Sequence, residues 1–231
     1  MRVLAMLFAL SACTGEPSAP AVAEPRASHR EATPPPPPPP SGAVAVRVLA
    51  PGATLPKVDP ACTGKAPLRL ELDASGALAG AAVWVMEAAS TPKPKAATLR
   101  LTGCGVEPQV AVVTPDSALA FQNMEATARK VSLLHGELEV LSRDLPAGGT
   151  AGSAIATPGL SLLRCAPGPC LGAVAVGGVV GLTGSDGRVT LSGALPGPQV
   201  VRVYHPAVGE GSATVQIEEN GTAQVEITLK P

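Results

Sequence analysis

Leu68-Arg69-Leu70-Glu71-Leu72 alternates apolar and polar side chains one for one, the period of a strand with one buried face. Short runs of the same kind recur at close spacing. Ala43–Leu49 comes first, and Leu78–Met86 carries the apolar run Ala81–Val85. Leu99–Leu101, Val110–Val113, Leu119–Gln122, Val131–Leu134 and Leu138–Leu141 follow. Ser161–Arg164, Ala173–Val176, Val189–Leu191, Val200–Tyr204, Thr214–Ile217 and Ala223–Leu229 complete the set. Turn formers separate them: Asp73–Gly76, Thr114–Ser117, Asn123–Glu125, His135-Gly136 and Pro146–Thr150. Asn220-Gly221 carries the signature of a two-residue type I′ hairpin joining the last two strands. No stretch has a convincing helical period, so the pattern predicts an all-β sandwich or barrel.

The first residues follow a different pattern. Arg2 precedes the apolar run Val3–Ala9 and then Leu10-Ser11-Ala12-Cys13. A cation, a short apolar core and small residues describe a secretory signal peptide, residues 1–12, too short to span a bilayer. Leu10-Ser11-Ala12-Cys13 resembles the bacterial lipobox, which implies a lipid on Cys13 and a bacterial cell-envelope location on a membrane. Thr14 stands where an inner-membrane retention Asp would, so the resemblance favours the outer membrane, facing periplasm or exterior. Residues 13–60 read as a disordered, Pro-rich tether containing His29 and the unbroken run Pro34–Pro40. Such a run forms a stiff polyproline II spacer rising about 3.1 Å per residue. Within that stretch Ala43–Leu49 can form a first strand.

Composition narrows the function. Aromatic content is 2% and net charge −1, and no Lys/Arg run exists to attract nucleic acid, so none is expected as a partner. The expected partners are the membrane, through the lipid, and an unidentified protein or envelope component. With three histidines and no HExxH, phosphate loop or nucleophile elbow, the chain lacks the parts of an enzyme. Acylation of Cys13 leaves Cys62, Cys104, Cys165 and Cys170, and export favours disulfides among them. Of three possible pairings, Cys62–Cys104 and Cys165–Cys170 are expected. The loop Leu163–Leu171, between two strands, is the place for a disulfide or a metal site.

Two resemblances cover about Cys62 to Leu229. Gly103-Cys104-Gly105-Val106-Glu107-Pro108-Gln109-Val110, Leu119–Asn123 and Leu163-Arg164-Cys165 resemble segments of a plastocyanin-like (cupredoxin-like) family of exported bacterial proteins. Gly76–Val83, Ser185–Leu191 and Leu195–Val200 are similar to a carboxypeptidase regulatory-like, or transthyretin-like, β-sandwich. The resemblances imply a regulatory-like sandwich over residues 61–97 and 178–231. They imply a degenerate cupredoxin-like Greek-key sandwich over 98–177, inserted into it or packed on it. A blue-copper site needs two imidazoles, a thiolate and a weak axial ligand. Carried over, those positions fall on Arg129, with Lys130 beside it, Gly168, Cys165 and Leu171, while Gln109 stands for a further family histidine. Only Cys165 keeps its type, so no cofactor and no intact metal site are expected. The alternative is copper held by Cys165 with His135 and Met124, in a periplasmic copper-binding or electron-transfer protein. His205 and Trp84 read as structural. The main expectation is a non-catalytic, lipid-anchored β module used for binding or structural support.

Overall fold

In β1 (Gly42–Leu49) every second side chain is buried, because Val44, Val46 and Val48 face a core while their neighbours reach towards water. The computed structural model describes residues 39–57 and 68–230, which belong to one compact unit. The chain continues through β2 (Ala82–Val85), β3 (Ala97–Thr102), β4 (Gly105–Val113), β5 (Ser117–Asn123) and β6 (Arg129–His135). Then come β7 (Leu138–Leu145), β8 (Thr150–Ile155), β9 (Gly159–Ala166), β10 (Leu171–Val176) and β11 (Val179–Leu182). The last four are β12 (Arg188–Ala194), β13 (Gly197–His205), β14 (Gly209–Ile217) and β15 (Thr222–Thr228). The fold is all-β, with no helix among the described residues.

Two sheets, β12-β1-β15 and β11-β2-β13-β14, enclose one core of Val44, Val46, Leu78, Val83, Val85, Val201, Ile217 and Leu229. The chain leaves this sandwich after β2 and returns with β11. Between those points it builds an eight-stranded sheet in the order β7-β6-β9-β10-β4-β3-β5-β8. The outermost strands of that sheet, β7 and β8, lie against each other, and Arg143 Nη2 donates to Ser153 Oγ at 2.9 Å. The sheet therefore curls around a second core of Leu99, Leu101, Val113, Phe121, Val131, Leu133 and Val174.

Three strands serve two cores each. In β2, Val83 and Val85 enter the first core, while Ala82 and Trp84 point into a third cluster between the two bodies. In β4, Ala111 and Val113 enter the second core and Val110 and Val112 the third. In β10, Val174 and Val176 do the former and Ala173 and Ala175 the latter. Alternation along a strand is thus fully apolar here, because both faces are covered. The return to the first sandwich is tight: a Cβ on Gly177 would lie 2.9 Å from Val85 O, and one on Gly178 2.7 Å from Ala88 N.

The structure departs from the sequence reading at several points. β1 lies inside the stretch expected as tether, which therefore cannot extend to residue 60. Leu68–Leu72 is not a strand; only Leu72 bridges, to Leu78. Asn220-Gly221 does not close a type I′ hairpin. Asn220 alone of the pair takes a positive φ, 57°. Its N–H donates to Ser41 O, and β15 crosses to pair in parallel with β1, Ala43 opposite Thr222. β8 and β11 have no counterpart in the sequence reading. β8, Thr-Ala-Gly-Ser-Ala-Ile, keeps its alternation but with side chains too small to signal it. Residues 1–38, with Cys13 and His29, and Cys62 lie outside the described residues.

Candidate functional site

Arg129 opens β6 with a side chain only 4% exposed. Nη1 donates to Gly103 O at 2.5 Å and lies 3.7 Å from Glu125 Oε2. Nη2 donates to Pro167 O at 3.1 Å and to Pro169 O at 3.3 Å. One guanidinium therefore ties together the β3–β4 turn, the β5–β6 loop and the β9–β10 loop. Its planar fork of donors suits several carbonyls at once.

The supporting contacts are local. Glu125 also accepts from Gly103 N, so that glycine is held at both its donor and its acceptor. Glu125 is placed by the buried Asn123, whose Oδ1 accepts from Glu125 N at 3.1 Å. Asn123 Nδ2 donates to Thr127 O at 2.7 Å and to Pro146 O at 3.0 Å, which closes the β5–β6 loop. Gly103 itself turns with φ 60°.

Cys165 and Cys170 are joined by a disulfide across the β9–β10 loop. Cys165 is partly exposed and Cys170 is 5% exposed, while residues 166–168 are open to solvent. Cys104 is buried and also disulfide-bonded. Its expected partner, Cys62, lies outside the described residues.

The positions that the plastocyanin-like resemblance designates for copper do converge. Arg129 grips the carbonyls on both sides of Gly168, and a Cβ on Gly168 would sit 3.7 Å from Arg129 Nη2. Cys165 closes the same loop, and Leu171 follows it, its N–H donating to Cys104 O at 3.2 Å. Lys130, expected beside the site, is exposed and paired across strands with Asp144 and Ala166. The residues present do not fit a copper ion. The Cys165 sulfur is bonded to Cys170, and the acceptor oxygens of the loop are taken by a side-chain cation.

The alternative ligand set is not assembled. In the register of β6 with β9, Val131 faces Cys165. His135 is four residues further along, about 13 Å at strand rise. His135 instead lies under Gly159, where a Cβ would meet its Cε1 at 2.8 Å. Met124 is 54% exposed. Among the described residues, no three of His, Cys, Asp and Glu are placed to hold a metal ion.

A second feature lies between the two bodies: a groove of about 350 Å³ lined by Arg69, Glu71, Arg100, Glu107, Gln109 and His205, among others. Arg69 and Glu107 pair across its rim at 3.8 Å, both exposed. His205 is buried, its Nδ1 accepting from Ala207 N at 3.2 Å. Desolvation pushes its pKa down to about 4, so it is neutral at pH 7. Gln109, which stands for a further family histidine in the resemblance, lines this groove. No signal in the sequence marks the groove, because it forms between segments far apart in the chain.

No protein-family model matches the chain, and no curated protein matches it. Among solved structures, an oxidized mutant form of amicyanin is similar at 19% identity and a TM-score of 0.32. The match covers 42% of this chain and 98% of that one. A reduced mutant form of amicyanin is similar at 18% identity and the same TM-score. It covers 42% of this chain and 98% of its own length. The Cu-containing nitrite reductase (NirK) from Thermus scotoductus SA-01 is similar at 16% identity and a TM-score of 0.32. There the match covers 52% of this chain but 27% of that one. At such values neither protein says anything of this chain's chemistry.

Proposed function

We propose that this is a lipid-anchored bacterial cell-envelope protein that presents a non-catalytic, degenerate cupredoxin-like module, carried on a carboxypeptidase regulatory-like sandwich, for binding or structural support. The signal-like start, the lipobox-like Cys13 and the proline run supply the anchor and spacer of this reading. The observation that carries the module's part is Arg129. Its guanidinium lies at the position where the resemblance calls for a copper imidazole, and it consumes the carbonyls of the neighbouring loop. The same loop's cysteine is spent in a disulfide. A metal would have to displace a tethered cation and meet a reduced thiol.

The test is addition of Cu(II) to the full chain, untreated and after dithiol reduction, with visible absorption recorded. The expected result is no thiolate-to-copper band in either state. An intense band after reduction would overturn the non-metal reading and favour a copper-binding or electron-transfer protein. Anchoring is tested separately by labelling cells with a fatty-acid probe. Wild-type chain takes the label and Cys13→Ser does not; label on both, or on neither, removes the anchor.

A further inference from the structure

The Cys165–Cys170 bridge is presented differently from the other oxidised cysteine. Cys104 is buried and disulfide-bonded. Cys165 is partly exposed at the end of β9, and the residues that follow it, 166–168, lie open to solvent. Of the two, Cys165 is the more open, since Cys170 is 5% exposed, while the Cys165 side chain packs against the rim of the second core. The loop between them does not depend on the bridge alone. Arg129 Nη2 holds Pro167 O and Pro169 O, and Leu171 N holds Cys104 O. None of these contacts runs through the sulfur–sulfur bond.

We propose that this bridge is a thiol–disulfide exchange site for small thiols and dithiols, opened at Cys165 in the folded protein and closed again by Cys170, with Arg129 as the positioning residue. A thiolate attacks the Cys165 sulfur, the bond to Cys170 breaks, and its electron pair leaves on Cys170 as a thiolate. The product is a mixed disulfide on Cys165. It has two fates. Cys170 attacks back, reforms the bridge and expels the incoming thiolate. Alternatively, if the reagent is a dithiol, its second thiolate attacks its own bonded sulfur and releases Cys165. The dithiol then departs as a cyclic disulfide, and the protein keeps two thiols; two electrons and two protons have passed to it.

Arg129 acts on the closing step. It bonds the carbonyl of Pro169, the residue before Cys170, and so keeps the two sulfurs on one short, fixed loop. That positioning speeds closure. This proposal rests on the guanidinium-filled loop described above and not on the anchoring of the chain.

The experiment uses the full chain, acid-quenched, alkylated and mapped by mass spectrometry after exposure to glutathione or dithiothreitol, with circular dichroism recorded in parallel. Dithiothreitol should label Cys165 and Cys170 while Cys104 stays blocked and the β-sheet spectrum is unchanged. Glutathione should leave little adduct on the wild-type chain, because closure is fast. On Arg129→Gln the adduct should accumulate several-fold, on Cys165 only, and Arg129→Lys should restore part of the closure. Release of Cys165 and Cys170 only together with loss of the fold overturns the proposal, as does adduct on Cys170. Equal adduct on wild-type and Arg129→Gln overturns the role of Arg129. The dithiothreitol arm is read on the unaltered chain, so a variant that does not fold leaves it standing. A copper band in the titration above would sink the non-metal reading without touching this result.

Discussion

Arg129→Leu removes a buried cation whose partners stay behind, and the size of the loss can be worked from its contacts. Three carbonyl acceptors lose their donor, and a hydrogen bond to a charged group contributes about 1.5–3 kcal/mol. The lower end applies, since Pro167 is exposed and its carbonyl rehydrates. Glu125, 28% exposed at its side chain, loses an ion pair at 3.7 Å, a further loss of roughly 0.5–1 kcal/mol. Against this, leucine relieves the desolvation of a guanidinium whose Nε has no partner, roughly 1–3 kcal/mol. The balance is a destabilisation of about 2–4.5 kcal/mol, overlapping the range for breaking one side of a buried charge pair. Urea denaturation followed by circular dichroism should show the midpoint fall with an unchanged slope. Glu125→Gln retains the acceptor for Gly103 N and should lose no more than about 1 kcal/mol. A loss below about 1 kcal/mol for Arg129→Leu would refute the cross-linking role, because three unpaired acceptors cannot be that cheap.

Other predictions follow from single contacts. His205 is neutral in the fold with its pKa pushed down to about 4, whereas an unfolded histidine titrates near 6.5. The unfolded chain therefore binds the proton first as pH falls, so stability is present above pH 6.5 and is lost between 6.5 and about 4, by about 3 kcal/mol. Urea midpoints measured down this range should flatten in His205→Asn, and an unchanged slope there would exonerate His205. Trp84→Ala opens a cavity between the two bodies and should cost about 3–5 kcal/mol. Trp84→Phe removes an indole N–H that has no partner and should cost less than about 1.5 kcal/mol, so equal losses in the two variants would contradict the packing described. Asn123→Leu leaves Glu125 N, Thr127 O and Pro146 O unpaired, and should destabilise by about 2–4 kcal/mol in the same assay while raising glutathione adduct at Cys165.

Strand positions are legible where large aliphatic residues mark the buried face, as in β5 (Ser-Ala-Leu-Ala-Phe-Gln-Asn) and β13, with Val201 and Val203 inside. They are not legible in β8, whose inward residues are Ala and Ile among Gly and Ser, nor in the short β11. Leu68–Leu72 shows the reverse failure. Its alternation is strict, yet the run finds only a single bridge, because periodicity states which face wants cover and not whether a partner strand exists. The misleading Asn220-Gly221 has the same root. A two-residue turn signal is local, whereas the parallel partner of β15 lies at the other end of the chain. At the site, Arg129 is visible in the sequence as a wrong residue type for copper. What it does instead is not, since its acceptors are backbone carbonyls, and carbonyls leave no trace in a sequence.

The distinction between Arg129 and Lys130 shows why that missing information decides the chemistry. Both are cations at the start of β6, one residue apart, and a strand sends adjacent side chains to opposite faces. Lys130 goes outward, where its strand pairs it with Asp144 and Ala166, and water screens it. Arg129 goes inward, to a ring of oxygens from Gly103, Glu125, Pro167 and Pro169. Such a ring attracts positive charge whatever carries it. A free metal ion would need lone pairs at fixed geometry from imidazole and thiolate, and would come and go with its supply. A guanidinium needs acceptors only, and the chain itself keeps it at the site. The β9–β10 loop is thus organised by a covalently attached cation and a disulfide. The second of these is the part that chemistry outside the protein can still change.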